Sequence, residues 1–317
     1  MNNTQFLDCY IKTKTLNPHV GSNQGGYYTT KNSKKEQVYV KIYANPIQAM
    51  CEHLANMFYL GVGLYAPQSR LETYGAKLYY ISPIIHGTML NDVDLESDKG
   101  KKICKTICND IIFDIFIGNW DVIGLGYDNI LIKDNTHQHV YRIDNGAAFL
   151  LRAQGTPKGK CPIIDTSTNM LMQITEWDNF IDSEINEQYA NLLSIAGYAN
   201  ICNTNVKNAI EKITALKELY KGWDKFIEQH IEQYIPIDSA SKGCLIKMMT
   251  ERQTLLEKKI ASCKQAQSQT EAGGSRIVNK SIFILNRNRK IIPYVKYNNE
   301  LITLTKAMNL DKKRKSK

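Results

Sequence analysis

The sequence lacks an apolar run long enough to cross a membrane, because no stretch of about eighteen consecutive apolar residues occurs in it. Its first residues, MNNTQFLDCYIKTK, also lack the apolar core of a secretory signal. Neither a membrane span nor export through the general pathway is therefore indicated. We expect the protein to work in a cytoplasm.

Paired cysteines are missing as well. The eight cysteines are scattered and form neither a CxxC zinc arrangement nor the dense framework of a small secreted domain. We interpret them as reduced thiols of the core. Cys104 and Cys108 share one predicted helix face, where packing is the expected role of two thiols without further ligands.

The body of the chain has no excess of either charge. Residues 271–317 hold 12 Lys and Arg against 3 Asp and Glu, and residues 1–270 hold 28 of each sign, so the net charge of +9 belongs to the tail. This pattern predicts an appended module for an acidic phospholipid or another polyanion, with nucleic acid the less favoured partner. We favour membrane-surface docking through Arg287–Lys290, and a solvated terminus is the alternative.

The 43% of hydrophobic residues can supply a sizeable core. Near the N-terminus, GSNQGG is followed by an alternating segment, Val38–Tyr43, which predicts two strands with a glycine turn before the second. The alternation places Lys41 on the strand face opposite the aliphatic residues. Asn45-Pro46 then predicts the start of a helix, whose apolar residues recur at helical spacing up to Gly61.

The rest of the body changes from strands to helices. Further predicted elements are a hairpin over 68–73 and 77–85, an apolar helix over 103–117, two short strands at 130–132 and 140–143, and a helical region over 184–260 with breaks at Pro236 and Gly243. The pattern predicts an α+β fold with two lobes, a small β-rich N-lobe (1–87) and a larger mainly helical C-lobe (88–263), then a linker (264–276) and a basic C-terminal module (277–317).

Several polar residues in this order suit phosphoryl transfer. Lys41 lies on an apolar strand and needs an anionic partner, which Glu52 on the next helix can provide. Asp121 follows an apolar helix in a loop, where a carboxylate can accept or orient a substrate proton. Asn129 and Asp144 stand at strand edges and carry the oxygen atoms that Mg²⁺ prefers. Seen singly, each has a structural alternative, as a solvated strand lysine, a helix-surface glutamate, a turn former or a cap.

The pattern GSNQGG, VYVK, helix-borne Glu52, GNWDVIGLGYDN and YRIDNG resembles the HipA-like branch of the protein-kinase superfamily, over about residues 15–260. Secretory-pathway kinases and phosphoinositide kinases share the broader plan. The resemblance implies ATP and Mg²⁺ or Mn²⁺ as cofactors.

The resemblance also implies roles for single residues. Lys41 would bind the α and β phosphates with Glu52 as its ion-pair partner, Asp121 would be the catalytic base, and Asn129 and Asp144 would be metal ligands. The other nucleotide-binding residues would be those of the glycine segment and of the connector next to the adenine: Gly21, Ser22, Asn23, Gln24, Gly25, Gly26, Ile81, Ser82 and Ile84. Asn145 stands where these enzymes usually have the phenylalanine of Asp-Phe-Gly, so the aromatic switch of ordinary kinases should be absent.

One spacing departs from the kinase pattern. Asp121 and Asn129 are eight residues apart, whereas the usual catalytic loop separates its Asp and Asn by about five. This longer loop leaves open whether Asp128 or Asn129 faces the metal.

The sequence therefore predicts an ATP-dependent phosphotransferase, with a protein Ser/Thr kinase of the HipA-like type as the favoured function. The alternatives are a phosphoinositide or small-molecule kinase, a kinase-fold nucleotidyltransferase, and a non-catalytic protein of this fold, against which the full acidic set argues. The composition, rich in Asn, Lys and Ile, suggests an AT-rich bacterial or viral genome. From it we derive the hypothesis of a host-directed effector kinase, which would act in the host cytoplasm.

Overall fold

The structure is a computed structural model that describes most of the body and three strands of the tail. The described residues are 4–15, 24–75, 77–133, 139–156, 158, 187–198, 206–234, 237, 239–272, 283–287, 290–297 and 300–303.

The N-terminal part is built on a five-stranded antiparallel sheet with the strand order β1-β2-β3-β5-β4. It begins with a short helix, α1 (Thr4–Cys9), and its strands are β1 (Tyr10–Thr15), β2 (Gln24–Thr30), β3 (Gln37–Ile42), β4 (Arg70–Tyr74) and β5 (Lys77–Pro83). The hairpin predicted over 68–85 is confirmed as the antiparallel pair of β4 and β5.

Helix α2 (Pro46–Gly61) connects β3 to β4 and packs on one face of the sheet. Asn45 caps it, since the Asn45 side chain accepts a hydrogen bond from the Ile47 amide, and Pro46 occupies the first turn. Both features follow the sequence prediction. The helix is buried well beyond its apolar stripe, however, because Glu52, His53 and Asn56 are also fully buried. A helix with so few charged residues is typical of a position enclosed on several sides.

The two faces of the sheet pack into separate cores. Val38, Val40 and Ile81 join a cluster with Phe6 of α1 on one face. Lys41, on the other face of β3, has its cross-strand partner in Tyr80, which packs with α2. The predicted alternation along β3 is therefore confirmed.

The larger part is mainly helical and begins with a small three-stranded sheet, β6 (Thr88–Met89), β7 (Ile130–Lys133) and β8 (His139–Arg142), in the order β6-β7-β8. Its helices are α3 (Asp98–Asn109), α4 (Ile111–Phe116), α5 (Glu187–Ile195), α6 (Val206–Leu219), α7 (Trp223–Ile227), a π-helical turn (Glu228–Glu232) and α8 (Ser239–Ala272). Together the two parts form the two-lobed α+β architecture predicted from the sequence.

Two details of the prediction are wrong. The helix expected over 103–117 is divided at Asp110, which ends α3 and begins α4, and Asn109 and Asp110 are both weak helix formers. Gly243 does not break a helix but lies inside α8, where the helix continues through it. A side chain at Gly243 would meet no atom within 4 Å, so only helix propensity opposes the helix there.

Helix α8 also extends through 264–272, the first part of the predicted linker. Beyond it, β9 (Phe283–Arg287), β10 (Lys290–Tyr297) and β11 (Glu300–Thr303) form an antiparallel sheet in the order β11-β10-β9. The domain boundaries and the role of the basic tail remain predictions. No described helix is both long enough and apolar enough to pass through a lipid bilayer.

Candidate active site

Lys41 lies between two carboxylates. Its Nζ is 2.9 Å from Oε1 of Glu52 on α2 and 2.7 Å from Oδ1 of Asp144, which follows β8. The Lys41 and Glu52 side chains are buried, whereas the Asp144 side chain is half exposed, at 51%. The structure thus brings together three of the predicted site residues, from β3, α2 and the second lobe.

This arrangement decides the class of fold. A lysine on the third strand of a five-stranded sheet, paired with a glutamate of the helix that follows, is the ion pair on which protein kinases depend. The fold is protein-kinase-like.

The charge of Lys41 is maintained by its two partners. Burial alone lowers the pKa of the Lys41 ammonium, but the carboxylates of Asp144 and Glu52 outweigh that effect and raise the pKa above its ordinary value. Lys41 therefore remains a cation at neutral pH. A fixed cation next to a half-exposed carboxylate suits the binding of a phosphate together with its metal ion.

Tyr43 is a member of the site that the sequence analysis missed. Its hydroxyl donates to Oε2 of Glu52 and lies 3.4 Å from Lys41 Nζ. Tyr43 stands two residues after Lys41, and in an extended segment this spacing places both side chains on the same face. This spacing is the sequence signal that could have identified Tyr43 as part of the site. Glu52 is thus held from two directions, by the ammonium and by the phenol.

Asp144 has the left-handed backbone conformation, with φ 54° and ψ 51°. That conformation is uncommon for a residue with a side chain, and it often occurs at functional sites. It turns the chain from β8 into the 3-10 turn Asn145–Ala147, whose residues are buried. Asp144 itself remains open to solvent beside Lys41.

Asp121 lies in the loop between α4 and β7. Asn129 is buried at the end of this loop and closes it, since its Nδ2 donates to the Asp121 main-chain oxygen at 2.7 Å. Burial, together with the negative charges of Asp144 and Asp128, raises the pKa of the Asp121 carboxyl to about 6. A carboxyl with such a pKa is still ionised at neutral pH and is a stronger base than an ordinary aspartate.

The donor set fits a magnesium or manganese ion. The Asp144 carboxylate is half exposed, and the Asn129 amide uses its N–H group within the loop, which leaves its oxygen for a ligand. Asp128, the alternative to Asn129, is exposed. Among the described residues no group of three or more His, Cys, Asp or Glu side chains could hold a metal ion. A site made of Asp144 and Asn129 would supply one or two protein ligands, and phosphate oxygens of a nucleotide would complete the coordination shell of the metal ion.

The predicted nucleotide-binding residues are only partly described. Gly21, Ser22 and Asn23 lie outside the described residues. Gln24, Gly25 and Gly26 form the start of β2, so the predicted glycine turn does not include them, and their contact with a nucleotide remains a prediction. Gly25 pairs with Lys41, and a side chain at Gly25 would come within 2.3 Å of the Val40 main-chain oxygen. Close packing of β2 on β3 therefore requires this glycine, independently of any phosphate.

The connector residues differ in where their side chains point. Ile81 is fully buried in the cluster on the sheet face opposite Lys41, so its side chain does not line the cleft and only its main chain could contact an adenine. Ser82 pairs with Tyr39 and shares a face with Lys41. Ile84 is half-buried just beyond the end of β5. Tyr39, another residue that the sequence analysis missed, lies on that face with its ring centroid 5.8 Å from Lys41 Nζ.

A buried ionic layer connects α4, which precedes the Asp121 loop, to β8. Arg142 at the end of β8 donates from Nε and Nη2 to the carboxylate of Asp114 in α4, at 2.7 and 3.0 Å. Tyr59 of α2 donates to the same carboxylate at 2.7 Å, and Tyr189 of α5 donates to it as well. Local sequence gave no signal for this layer, because its members come from four separate elements.

The segment after Asp144 contacts both the Asp121 loop and α2. The Lys158 ammonium is buried and donates to the main-chain oxygens of Gly118 and Ala147. Gln48 in the first turn of α2 donates from Nε2 to the main-chain oxygen of Ala153 at 2.9 Å. This segment therefore connects the regions that carry Glu52, Asp121 and Asp144.

The chain matches no protein-family model, and no curated protein matches it by sequence. Solved structures resemble it at low sequence identity. CtkA, a proinflammatory kinase of Helicobacter pylori, has a TM-score of 0.48 and 14% identity over 80% of this chain and 96% of its own. HipA of the Shewanella oneidensis toxin–antitoxin system has a TM-score of 0.40 and 11% identity over 81% and 66%. The Leishmania major MAP kinase LmaMPK10 has a TM-score of 0.30 and 10% identity over 81% and 83%. Because these scores are below 0.5, the proposals below rest on the site itself.

Proposed function

We propose that this protein is an ATP-dependent phosphotransferase of the HipA-like type, which transfers the γ-phosphoryl group to a serine or threonine hydroxyl of a protein. The observation that carries the proposal is the position of Lys41, which is buried, charged and shared between Glu52 and Asp144. An isolated structural ion pair would need one carboxylate. Here the second carboxylate is half exposed, and so is available to a metal ion.

Each residue has a role in the proposed reaction. Lys41 binds phosphate oxygens, and Glu52, itself held by Tyr43, keeps Lys41 in place. Asp144 and Asn129 would hold the metal ion, which neutralises charge on the β and γ phosphates when it is bound. These residues position the triphosphate and leave the acceptor side of the site to Asp121.

The transfer itself needs a base at the acceptor. Asp121 accepts the proton of the hydroxyl while the oxygen of that hydroxyl forms a bond to the γ phosphorus. The bond between this phosphorus and the bridging oxygen breaks, and ADP leaves with the electron pair. The raised pKa of Asp121, about 6, makes it a suitable proton acceptor near neutral pH.

The test is label transfer from γ-³²P-ATP and, in parallel, from α-³²P-ATP, with Mg²⁺ or Mn²⁺ and with a protein mixture as acceptor. We expect label from the γ position only, on serine or threonine, and expect Asp144→Asn to abolish it while the variant remains folded. Label from the α position would show nucleotidyl transfer instead. Absence of both labels, with nucleotide bound, would contradict a phosphotransferase that is active without a further activator.

The acceptor is proposed as a protein, with a lipid as the alternative outcome. Phosphoinositide or small-molecule acceptors can be tested in the same assay by replacing the protein mixture with vesicles or free compounds. Arg287 and Lys290 lie directly opposite each other in β9 and β10, and we propose that this basic pair, with Arg289, docks the tail on acidic membranes. Neutralising these residues should abolish binding to phosphatidylserine vesicles, and unchanged binding would contradict the docking proposal.

A further inference from the structure

Three asparagines form a buried hydrogen-bonded chain through the site. They are Asn56 of α2, Asn119 of the loop that precedes Asp121, and Asn145, which follows Asp144 directly, and all three are fully buried. Asn119 Nδ2 donates to Asn145 Oδ1 at 2.8 Å, and Asn145 Nδ2 donates to Asn56 Oδ1 at 2.8 Å. We refer to these three residues as the asparagine relay.

Both ends of the relay are anchored. Asn56 Nδ2 donates to the Tyr80 hydroxyl of β5 at 2.7 Å and to the Ser69 hydroxyl at 3.1 Å. At the other end, the Asn119 main-chain N–H donates to the Asp114 main-chain oxygen at 2.9 Å. The relay therefore extends from the sheet of the first lobe, through α2, to the loop and helix of the second lobe.

The middle residue of the relay is the most constrained. Asn145 Nδ2 also donates to the main-chain oxygen of Arg142 at 2.9 Å, which closes the turn around Asp144. Asn145 thus uses both polar atoms of its side chain: the oxygen accepts from Asn119, and the nitrogen donates to Asn56 and to the Arg142 main chain. An aspartate of the same shape would lose the donor and place a negative charge against the Asn56 oxygen, and a leucine would lose donor and acceptor together.

The free-energy cost of leaving such groups unpaired explains why the relay can fix the positions of the segments that it connects. A buried polar atom that loses its hydrogen-bond partner destabilises the folded protein, because water does not reach the atom to replace that partner. If Asn145 moves, both Asn56 and Asn119 lose a partner, so displacement at the metal-binding turn is resisted at α2 and at the loop at the same time. Asp144 needs such support, since its left-handed backbone is intrinsically unfavourable.

We propose that Asn145 is a positioning residue, and that through the asparagine relay it couples Asp144 to the Asp121 loop and to the helix that carries Glu52. This proposal rests on the proposed function for its effect on catalysis, but the coupling itself is a property of the fold. Ordinary kinases have the phenylalanine of Asp-Phe-Gly at this position, where it acts through apolar packing. In this protein the hydrogen bonds of Asn145 take its place.

Hydrogen exchange on the nucleotide-free protein tests the coupling without any activity. In Asn145→Leu, we expect amide exchange to become at least about tenfold faster both in α2 (Pro46–Gly61) and in the loop over 118–124. Asn91→Leu, on an exposed asparagine of the same lobe, should leave both regions unchanged. Faster exchange confined to 145–147 would overturn the proposal.

A second variant keeps the test decisive if Asn145→Leu does not fold. Asn119→Asp retains the shape of the side chain, removes the donor to Asn145, and leaves the Asn145–Asn56 bond in place. We expect faster exchange in both the loop and the turn that follows Asp144, and unchanged exchange in the turn would overturn the proposal.

Kinetics then separates positioning from simple stability. In folded Asn145→Leu we expect kcat for phosphoryl transfer to fall by about a hundredfold, with the KM for ATP changed less than about threefold, since Lys41 and Glu52 remain. A kcat within twofold of the wild type would overturn the proposal. If the wild-type protein transfers no phosphoryl group, the proposed function fails, and the exchange experiment still decides the relay.

Discussion

Arg142 and Asp114 form a fully buried ion pair in which Nε of the guanidinium lies 2.7 Å from Oδ1 of the carboxylate. Burial lowers the pKa of Arg142, but Asp114, with Tyr189 and Asp110, raises it well above its ordinary value, so the guanidinium is charged. The pair joins β8, which leads to Asp144, to α4, which leads to Asp121. The pair therefore holds together the two elements that precede the candidate site residues Asp121 and Asp144.

Removing one partner of this pair should be strongly destabilising. Arg142→Met leaves the Asp114 carboxylate buried without its cation, and we expect the free energy of unfolding to fall by about 3–5 kcal/mol. Denaturation in urea measures the change. Asp114→Leu combined with Arg142→Met should cost less than the sum of the two single changes, because the double variant removes the Asp114 charge that Arg142→Met alone leaves buried without its cation.

An exposed ion pair provides the matched control. Lys207 and Glu211 are one helical turn apart in α6 and both side chains are mostly exposed, so Lys207→Met should change the stability by less than about 1 kcal/mol. Equal effects of Lys207→Met and Arg142→Met would show that the buried pair contributes no more than a surface pair.

Tyr43→Phe isolates the second contact to Glu52. The change removes the hydroxyl that donates to Oε2 and keeps the ring, while Lys41 still binds the glutamate. We expect a loss of about 1–2 kcal/mol in stability and a fall of about tenfold in kcat, because the buried Glu52 Oε2 loses one of its two donors and keeps only Lys41 Nζ at 3.2 Å. Chemical denaturation and phosphoryl-transfer assays measure the two effects.

Tyr27→Phe on the neighbouring strand β2 is the control for this variant, since Tyr27 lies near the Tyr39 ring, on the same sheet face. It should leave both quantities near their wild-type values. If Tyr43→Phe matches this control in stability and in kcat, the phenol does not hold Glu52.

The sequence was most informative where a local pattern determines the structure. The Asn45 cap and the spacing of apolar residues predicted α2, and the alternation along β3 predicted the face of Lys41. Both signals depend on neighbours within a few positions. The division of the helix at Asp110 depended on weak propensities and was not predicted.

The deeper parts of the site could not be predicted, because their partners are far apart in the chain. Asn145 bonds to residues 26 and 89 positions away, and Arg142 bonds to a carboxylate 28 positions away. No periodicity or cap encodes such pairs. An asparagine after Asp144 could only be recognised as a departure from Asp-Phe-Gly, and its partners appeared with the tertiary structure.

His53, which is buried, and His230, which is partly buried, should make stability depend on pH. His53 of α2 and His230 of the π-helical turn face each other with ring centroids 6.5 Å apart. Burial lowers the pKa of His230 to about 4, and burial together with the proximity of His230 lowers the pKa of His53 to about 4. His53 Nδ1 contacts the Ser69 hydroxyl and His230 Nε2 contacts the Tyr220 hydroxyl, both neutral groups.

The direction of the pH effect follows from the lowered pKa values. The folded protein favours the neutral imidazoles, so their contribution to stability is complete above the unfolded pKa of about 6.5 and is lost as the pH falls towards 4. The loss is at most about 1.4 kcal/mol per pH unit for each histidine. In the variant with His53→Gln and His230→Gln, stability should fall less steeply over this range, as urea denaturation at several pH values would show. His86→Gln, at an exposed position, is the control, and equal slopes in all three proteins would contradict the prediction.

Lys158→Met should loosen the loop that carries Asp121. The Lys158 ammonium is buried, donates to the Gly118 and Ala147 main-chain oxygens, and lies 3.4 Å from that of Phe149. Methionine keeps the aliphatic stem but leaves these buried oxygens without this donor, at about 1–3 kcal/mol for a buried group. We expect a loss of stability of about 2–4 kcal/mol and a fall in kcat of about ten- to a hundredfold, because Gly118 stands three residues before Asp121. Lys133→Met, at an exposed end of β7, should change neither quantity. Wild-type stability in Lys158→Met would mean that the ammonium does not hold the loop, and a loss of stability without a loss of kcat would mean that the loop keeps Asp121 in place by other contacts.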